Sequence, residues 1–127
     1  MIACGGVVIP VIYEGTRYKG VDAVIDKDFA AAKMAALIDA DVFIILTAVD
    51  HVFVNFGKPD QKALETTSVA DMKQYISEDQ FAPGSMLPKV EAAIDFAESK
   101  AGRRAIIASL EKASETLDGN SGTTVQM

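Results

Sequence analysis

The chain of 127 residues carries 12 lysines and arginines against 18 aspartates and glutamates, a net charge of −6. That excludes the broad basic surface with which proteins grip nucleic acid by its phosphates. Half of the residues are hydrophobic, enough for a core, yet no apolar run approaches the ~20 residues of a membrane-spanning helix. One cysteine and one histidine forbid an internal disulfide, argue against a structural zinc site and fit a reducing compartment.

Residues 2–4 and 9–13 are β-rich, separated by Gly5-Gly6-Val7-Val8. A strand beginning directly at the first residue is unusual for a complete protein and points to further chain upstream. Residues 14–20 read as a polar hairpin tip that returns through residues 21–25. From Asp28 the period becomes helical, with Ala30, Met34, Leu37 and Ile38 on one face. After Asp39-Ala40-Asp41, residues 42–47 form an unbroken apolar run, the pattern of a parallel strand covered on both faces.

Residues 51–54 read as a strand and residues 55–60 as a turn. Ser68 with Asp71 resembles a capping box, opening a helix with Val69, Met72 and Ile76 on one side. Ser85 is placed to cap the next helix, where Pro88 is tolerated in the first turn and Val90, Ala93, Ile94 and Ala97 make an apolar stripe. Residues 105–108 read as a buried strand, 109–117 as a helix and 123–126 as a last short strand. This alternation calls for one three-layer α/β/α domain over residues 1–127, with a largely parallel central sheet.

Two segments concentrate the chemistry: Val24-Ile25-Asp26-Lys27-Asp28-Phe29 and Pro83-Gly84-Ser85-Met86-Leu87-Pro88-Lys89-Val90. Each sets a lysine at a helix start, where unpaired N–H groups and the positive end of the dipole favour a polyphosphate. The same residues also fit solvated surface pairs, with Asp28 as an N-cap. Thr47 and Asp50 lie at the carboxyl end of the apolar strand, the edge at which open α/β sheets bind ligands. Gly5-Gly6 matches neither a Walker loop nor a dinucleotide fingerprint. His51 and Cys4 lack partners at catalytic spacing. No nucleophile–base set stands out, which suits a reaction driven by positioning and charge.

Ala3-Cys4-Gly5-Gly6, Ile9-Pro10-Val11, Val24-Ile25-Asp26-Lys27-Asp28, Ile45-Leu46-Thr47-Ala48-Val49-Asp50, Asn55-Phe56-Gly57-Lys58-Pro59 and Phe81 through Lys89 occur in order. Together with Gly122-Thr123-Thr124-Val125, they resemble the C-terminal half of a carbamate kinase, in the amino acid kinase superfamily. The resemblance implies an amino acid kinase-like nucleotide-binding half and phosphoryl transfer between ATP and carbamate, giving ADP and carbamoyl phosphate. In that family the flow is often toward ATP during arginine fermentation. It implies Lys27, Asp28 and Lys89 as catalytic residues, with the lysines on the transferring phosphate and Asp28 orienting them. Thr47, Ala48 and Asp50 would border the nucleotide, Phe56 and Met86 would approach the adenine, and Gly5 and Gly6 would lie nearer the carbamate. Mg2+ would bridge the phosphates, with no protein metal ligand assigned. A homodimer in full-length form and a cytoplasmic location are further implications.

Two features depart from the family. Val7-Val8 stand where it usually continues a run of glycines, which would crowd an anion site. Members are also more than twice this long, and their N-terminal half supplies a glycine-rich phosphate loop and a further lysine. The chain alone is therefore expected to be inactive. Two alternatives accompany this reading: an amino acid kinase with another phosphate acceptor (uridylate, glutamate, acetylglutamate or aspartate), and a non-catalytic remnant serving as a nucleotide-binding or interaction module.

Overall fold

The computed structural model describes residues 9–127. In chain order these form β1 (Val11–Glu14), β2 (Arg17–Gly20), α1 (Lys27–Leu37), β3 (Val42–Thr47), β4 (Val52–Val54), β5 (Lys62–Leu64) and β6 (Thr66–Ser68). Then follow α2 (Val69–Ser77), α3 (Met86–Glu98), β7 (Arg104–Ser109), a 3-10 turn (Leu110–Lys112), α4 (Ala113–Leu117) and β8 (Thr123–Gln126). The expected strand over residues 2–4 and the turn at Gly5-Gly6-Val7-Val8 lie outside the described residues.

Among the described residues, four strands form one sheet in the order β3-β7-β8-β6. β3 runs parallel to β7, and β6 parallel to β8, while β7 and β8 are antiparallel. The sheet is thus mixed, with parallel strands flanked by helices, the α/β architecture that the alternating pattern called for. The apolar stripe of α3 supplies its centre. Val90, Ala93, Ile94 and Ala97 are buried, and so are Ala92 and Phe96 beside them. So wide a buried arc requires neighbours on several sides. α3 packs on β7 and β8, on α1 and on α2. Each such valine, isoleucine or phenylalanine contributes about 1.5–3 kcal/mol on burial.

Helix α1 does not use the face expected of it. Leu37 and Ile38 are exposed, at 73% and 60%, and the helix instead turns Phe29, Ala32, Ala35 and Ala36 toward the core. Small alanines let its backbone approach α3 closely, which the larger residues would prevent. The carboxyl ends of α1 and α3 are clamped by Asp39, which takes up the left-handed conformation (φ 56°) just past the helix. Its carboxylate accepts from Lys100 at 2.8 and 2.9 Å and from Arg103 at 2.7 Å. The buried Arg103 guanidinium also lies 5.1 Å from the centre of the Phe96 ring. Bound at this end, the two helices bring their N-termini side by side at the other.

Other expectations are corrected in detail. Among the described residues, β3 ends the sheet and its apolar run is not covered on both faces: Ile45 is its one buried residue and Leu46 is 41% exposed. An unbroken apolar run records what surfaces a strand offers, not whether this stretch of chain covers them. The first hairpin is shorter than expected, with the turn at Gly15-Thr16 and residues 21–25 outside any strand. The helix expected over residues 109–117 is a 3-10 turn, capped by the buried Ser109 side chain accepting from Glu111 N–H at 3.2 Å, followed by α4. Strands β5 and β6 carry no signal strong enough to find. β5 exists through pairing with β4, and β6 through pairing with β8. Ser68 does cap α2, accepting from Asp71 N–H at 3.0 Å.

The approach to β8 is tightly specified. Gly122 (φ 96°) sits where a Cβ would fall 2.9 Å from that of Ala108, so only glycine fits. The next residue, Thr123, is fully buried, and its hydroxyl accepts from Val52 N–H at 2.8 Å and donates to the Leu64 carbonyl. One side chain thereby ties the β4–β5 hairpin to the main sheet.

Candidate functional site

α1 begins where Asp26, in extended conformation, accepts from Asp28 N–H at 2.7 Å. Asp26 is therefore the N-cap, and Asp28 lies one step inside the helix with its carboxylate free for another partner. That partner is Lys89, in the first turns of α3, whose Nζ donates to Asp28 Oδ2 at 2.7 Å. The two side chains are only 16% and 12% exposed, so this is a held pair rather than two solvated ions. Ser85 occupies the cap position of α3 but makes no capping hydrogen bond, contrary to expectation. It faces a hollow instead.

That hollow, of about 400 Å³, is walled by Lys27, Asp28 and Lys89, by Thr47 and Ala48 at the end of β3, and by the Gly84 turn. Lys27 is exposed and adds a second ammonium beside two neighbouring helix N-termini. Asp26 and Asp28 balance the two lysines in formal charge, so what favours an anion here is the exposed Lys27 ammonium together with the N–H groups of the two helix starts. A second hollow of about 370 Å³ adjoins it across Val49, Ser85 and Met86. Phe53, Phe56 and Phe81 with Pro83 and Met86 make it largely apolar, and the Phe53 and Phe56 rings lie 6.0 Å apart. An apolar, aromatic slot beside an anion-binding one has the chemistry to take a flat base and its phosphates.

Asp50 lies in a third hollow, with Thr47, Ala48, Ser109 and Leu110. Its Oδ2 accepts from Lys112 Nζ at 2.7 Å. That hydrogen bond, against some desolvation and with the charges of Lys112 and His51 helping, holds the Asp50 carboxyl below the usual carboxylate range. The same bond to Asp50 raises Lys112 above the usual lysine value.

The structure brings Lys27, Asp28, Lys89, Thr47 and Ala48 together around one hollow. Met86 is shared between the first two hollows, Phe56 belongs to the second and Asp50 to the third. Gly5 and Gly6 lie outside the described residues. Lys112 went unnoticed in the sequence because it stands 62 residues from Asp50 and its own neighbourhood shows only an ordinary helix pattern. Phe53 falls within the strand read over residues 51–54 and Phe81 opens a motif segment, and neither carries a signal of its own for the slot. Among the described residues, no helix is long and apolar enough to cross a membrane.

The sequence model of the amino acid kinase family matches residues 3–109. The carbamate kinase of Clostridium perfringens is 58% identical over 125 residues, covering 98% of this chain and 40% of that protein. Carbamate kinase 2 of Staphylococcus aureus (strain bovine RF122 / ET3-1) is 53% identical over 127 residues, covering 100% of this chain and 41% of that protein. Among solved structures, the carbamate kinase from Giardia lamblia bound to AMP-PNP matches with a TM-score of 0.85 at 39% identity, covering 92% of this chain and 41% of that one. The chain spans about 40% of the length of the curated relatives it matches.

Proposed function

Because this chain belongs to the amino acid kinase family, we propose that it is the ATP/ADP-binding half of a carbamate kinase-like phosphotransferase. The observation that carries this reading is the Lys27, Asp28 and Lys89 cluster at two neighbouring helix starts, opening directly onto the aromatic slot. Similarity to carbamate kinases at 53% and 58% identity, and to one bound to AMP-PNP, supports both the acceptor and the nucleotide.

In the ATP-forming direction, the bond between phosphorus and the carbamate oxygen of carbamoyl phosphate breaks. A terminal oxygen of ADP forms the new bond to phosphorus. The Lys27 and Lys89 ammoniums neutralise the charge spread over the transferring group, where pre-placed cations are most effective. Asp28 fixes the direction of Lys89. Phe56 and Met86 flank the adenine, while Thr47, Ala48 and Asp50 border the rest of the nucleotide. Gly5 and Gly6 would serve the carbamate. Among the described residues, no three acidic or imidazole side chains converge. Magnesium would be held mainly by phosphate oxygens and water, as that ion tolerates, with Asp26 and Asp28 the carboxylates on the wall of the hollow. When bound, it would screen the phosphates from one another.

Turnover would require a complementary N-terminal half, covering the exposed Leu37, Ile38 and Leu46, and the assembled enzyme would be a cytoplasmic homodimer. The test is ATP formation from ADP and carbamoyl phosphate, by the chain alone and after addition of the N-terminal half of the Clostridium perfringens relative. We expect turnover only in the mixture. No turnover there, together with no ADP binding by the chain, would leave the remnant reading in its place, as an interaction module rather than a nucleotide-binding one. Phosphorylation of uridylate, glutamate, acetylglutamate or aspartate instead of carbamate would move the acceptor assignment.

A further inference from the structure

The segment leaving β3 is a wall common to all three hollows. Ala48 and Val49 bound the lysine hollow, Val49 the aromatic slot, and Thr47, Ala48 and Asp50 the third hollow. The segment is fixed before and after. Thr47 stands in register with Ser109 through the β3–β7 ladder, and Val52 N–H donates to buried Thr123. Between those points, Asp50 reaches across to Lys112 at 2.7 Å.

Lys112 is itself well placed to act as an anchor. It ends the 3-10 turn that Ser109 caps at the close of buried β7, and its carbonyl accepts from the Thr116 hydroxyl at 2.9 Å. Rigidity of the sheet is thereby passed to an ammonium at its rim. Both partners of the pair are 43% exposed, so the contact adds little to global stability. A loop displaced by about 1 Å can nevertheless cost a binding site much of its function.

We propose that Lys112 is a positioning residue for nucleotide binding: its ammonium anchors Asp50 and so holds residues 47–50 in the shape that walls the three hollows. The inference rests on the nucleotide-binding reading above. The charge state supports it, since Asp50 is held ionised and Lys112 protonated by their mutual contact.

The experiment is titration of the 127-residue chain with a fluorescent ADP analogue and Mg2+, alongside thermal melts, for wild type, Lys112→Met, Lys112→Arg, Asp50→Asn and the Asp50→Asn/Lys112→Met double variant. Expected are an affinity about tenfold weaker for Lys112→Met and substantial recovery with Lys112→Arg. The double variant should be no weaker than Asp50→Asn alone, with melting temperatures within about 2 °C of wild type. Unchanged affinity in Lys112→Met overturns the inference alone. So does an additive double variant, which would mean that the ammonium acts on the nucleotide directly. A fall in melting temperature that tracks the affinity loss reduces Lys112 to a structural role. No binding of ADP by the wild-type chain overturns this inference, and only together with absence of turnover in the complemented mixture does it overturn the functional reading as well.

Discussion

Lys89 Nζ and Asp28 Oδ2 lie 2.7 Å apart, joining the first turns of two helices that are 61 residues distant in the chain. With both side chains at least four-fifths covered, the pair sits between the exposed limit, where ion pairs are nearly neutral, and the buried limit, where breaking one is severe. Asp28→Asn leaves the ammonium beside a neutral amide and should lower stability by about 1–2 kcal/mol. A double-mutant cycle with Lys89→Met, read by chemical denaturation, should give a coupling of about 1 kcal/mol. A coupling near zero would mean that the pair orients Lys89 without stabilising the fold.

Division of the site into a lysine-bearing hollow and an aromatic slot predicts a division of labour. Lys27→Ala and Lys89→Ala should weaken ADP and inorganic pyrophosphate alike, each by about tenfold or more. Phe56→Ala should weaken ADP by several-fold, about 1 kcal/mol of lost contact, and leave pyrophosphate unchanged. Competition titrations with the two ligands measure both. Equal losses for both ligands in Phe56→Ala would contradict placement of the base in the aromatic slot.

Thr123 offers a test of how the β4–β5 hairpin, which carries part of that slot, is attached. Thr123→Val keeps the shape but orphans the buried Val52 N–H and Leu64 carbonyl, so it should destabilise by about 2–3 kcal/mol. Thr123→Ser keeps the hydroxyl and should lose about 1 kcal/mol through the missing methyl group. Should the valine variant melt with the wild type, the hydroxyl is not what secures the hairpin.

The Asp39 clamp predicts an acid-side signature. Hydrogen bonding to Lys100, then the charge of Lys100 and the bond to Arg103, holds its carboxyl below the ordinary range. A group depressed in the folded state stabilises fully above its unfolded value of about 3.9 and loses that effect as pH falls through the lower folded value. Asp39→Asn removes this component while asparagine still tolerates the positive φ. Denaturation midpoints of the variant should therefore decline less steeply than wild type between about pH 5 and about pH 2. Parallel curves would show that other carboxylates account for the acid loss.

Local chemistry explains which features were legible in advance. The stripe on α3, the Ser68 cap and the cationic helix starts at Lys27 and Lys89 depend on neighbours within one or two turns, so the sequence by itself determined them. Motif order carried the family likeness for the same reason, since it needs no knowledge of contacts. Tertiary structure alone decided which face of α1 is buried, because alanines outcompete Leu37 and Ile38 only where α3 approaches closely. It alone paired Asp50 with Lys112 across 62 residues, whereas the contact of Asp28 with Lys89 across 61 was implied by the family resemblance and by no spacing in the chain. Such contacts depend on how distant elements are brought together through shared burial, and no spacing in the chain encodes that distance.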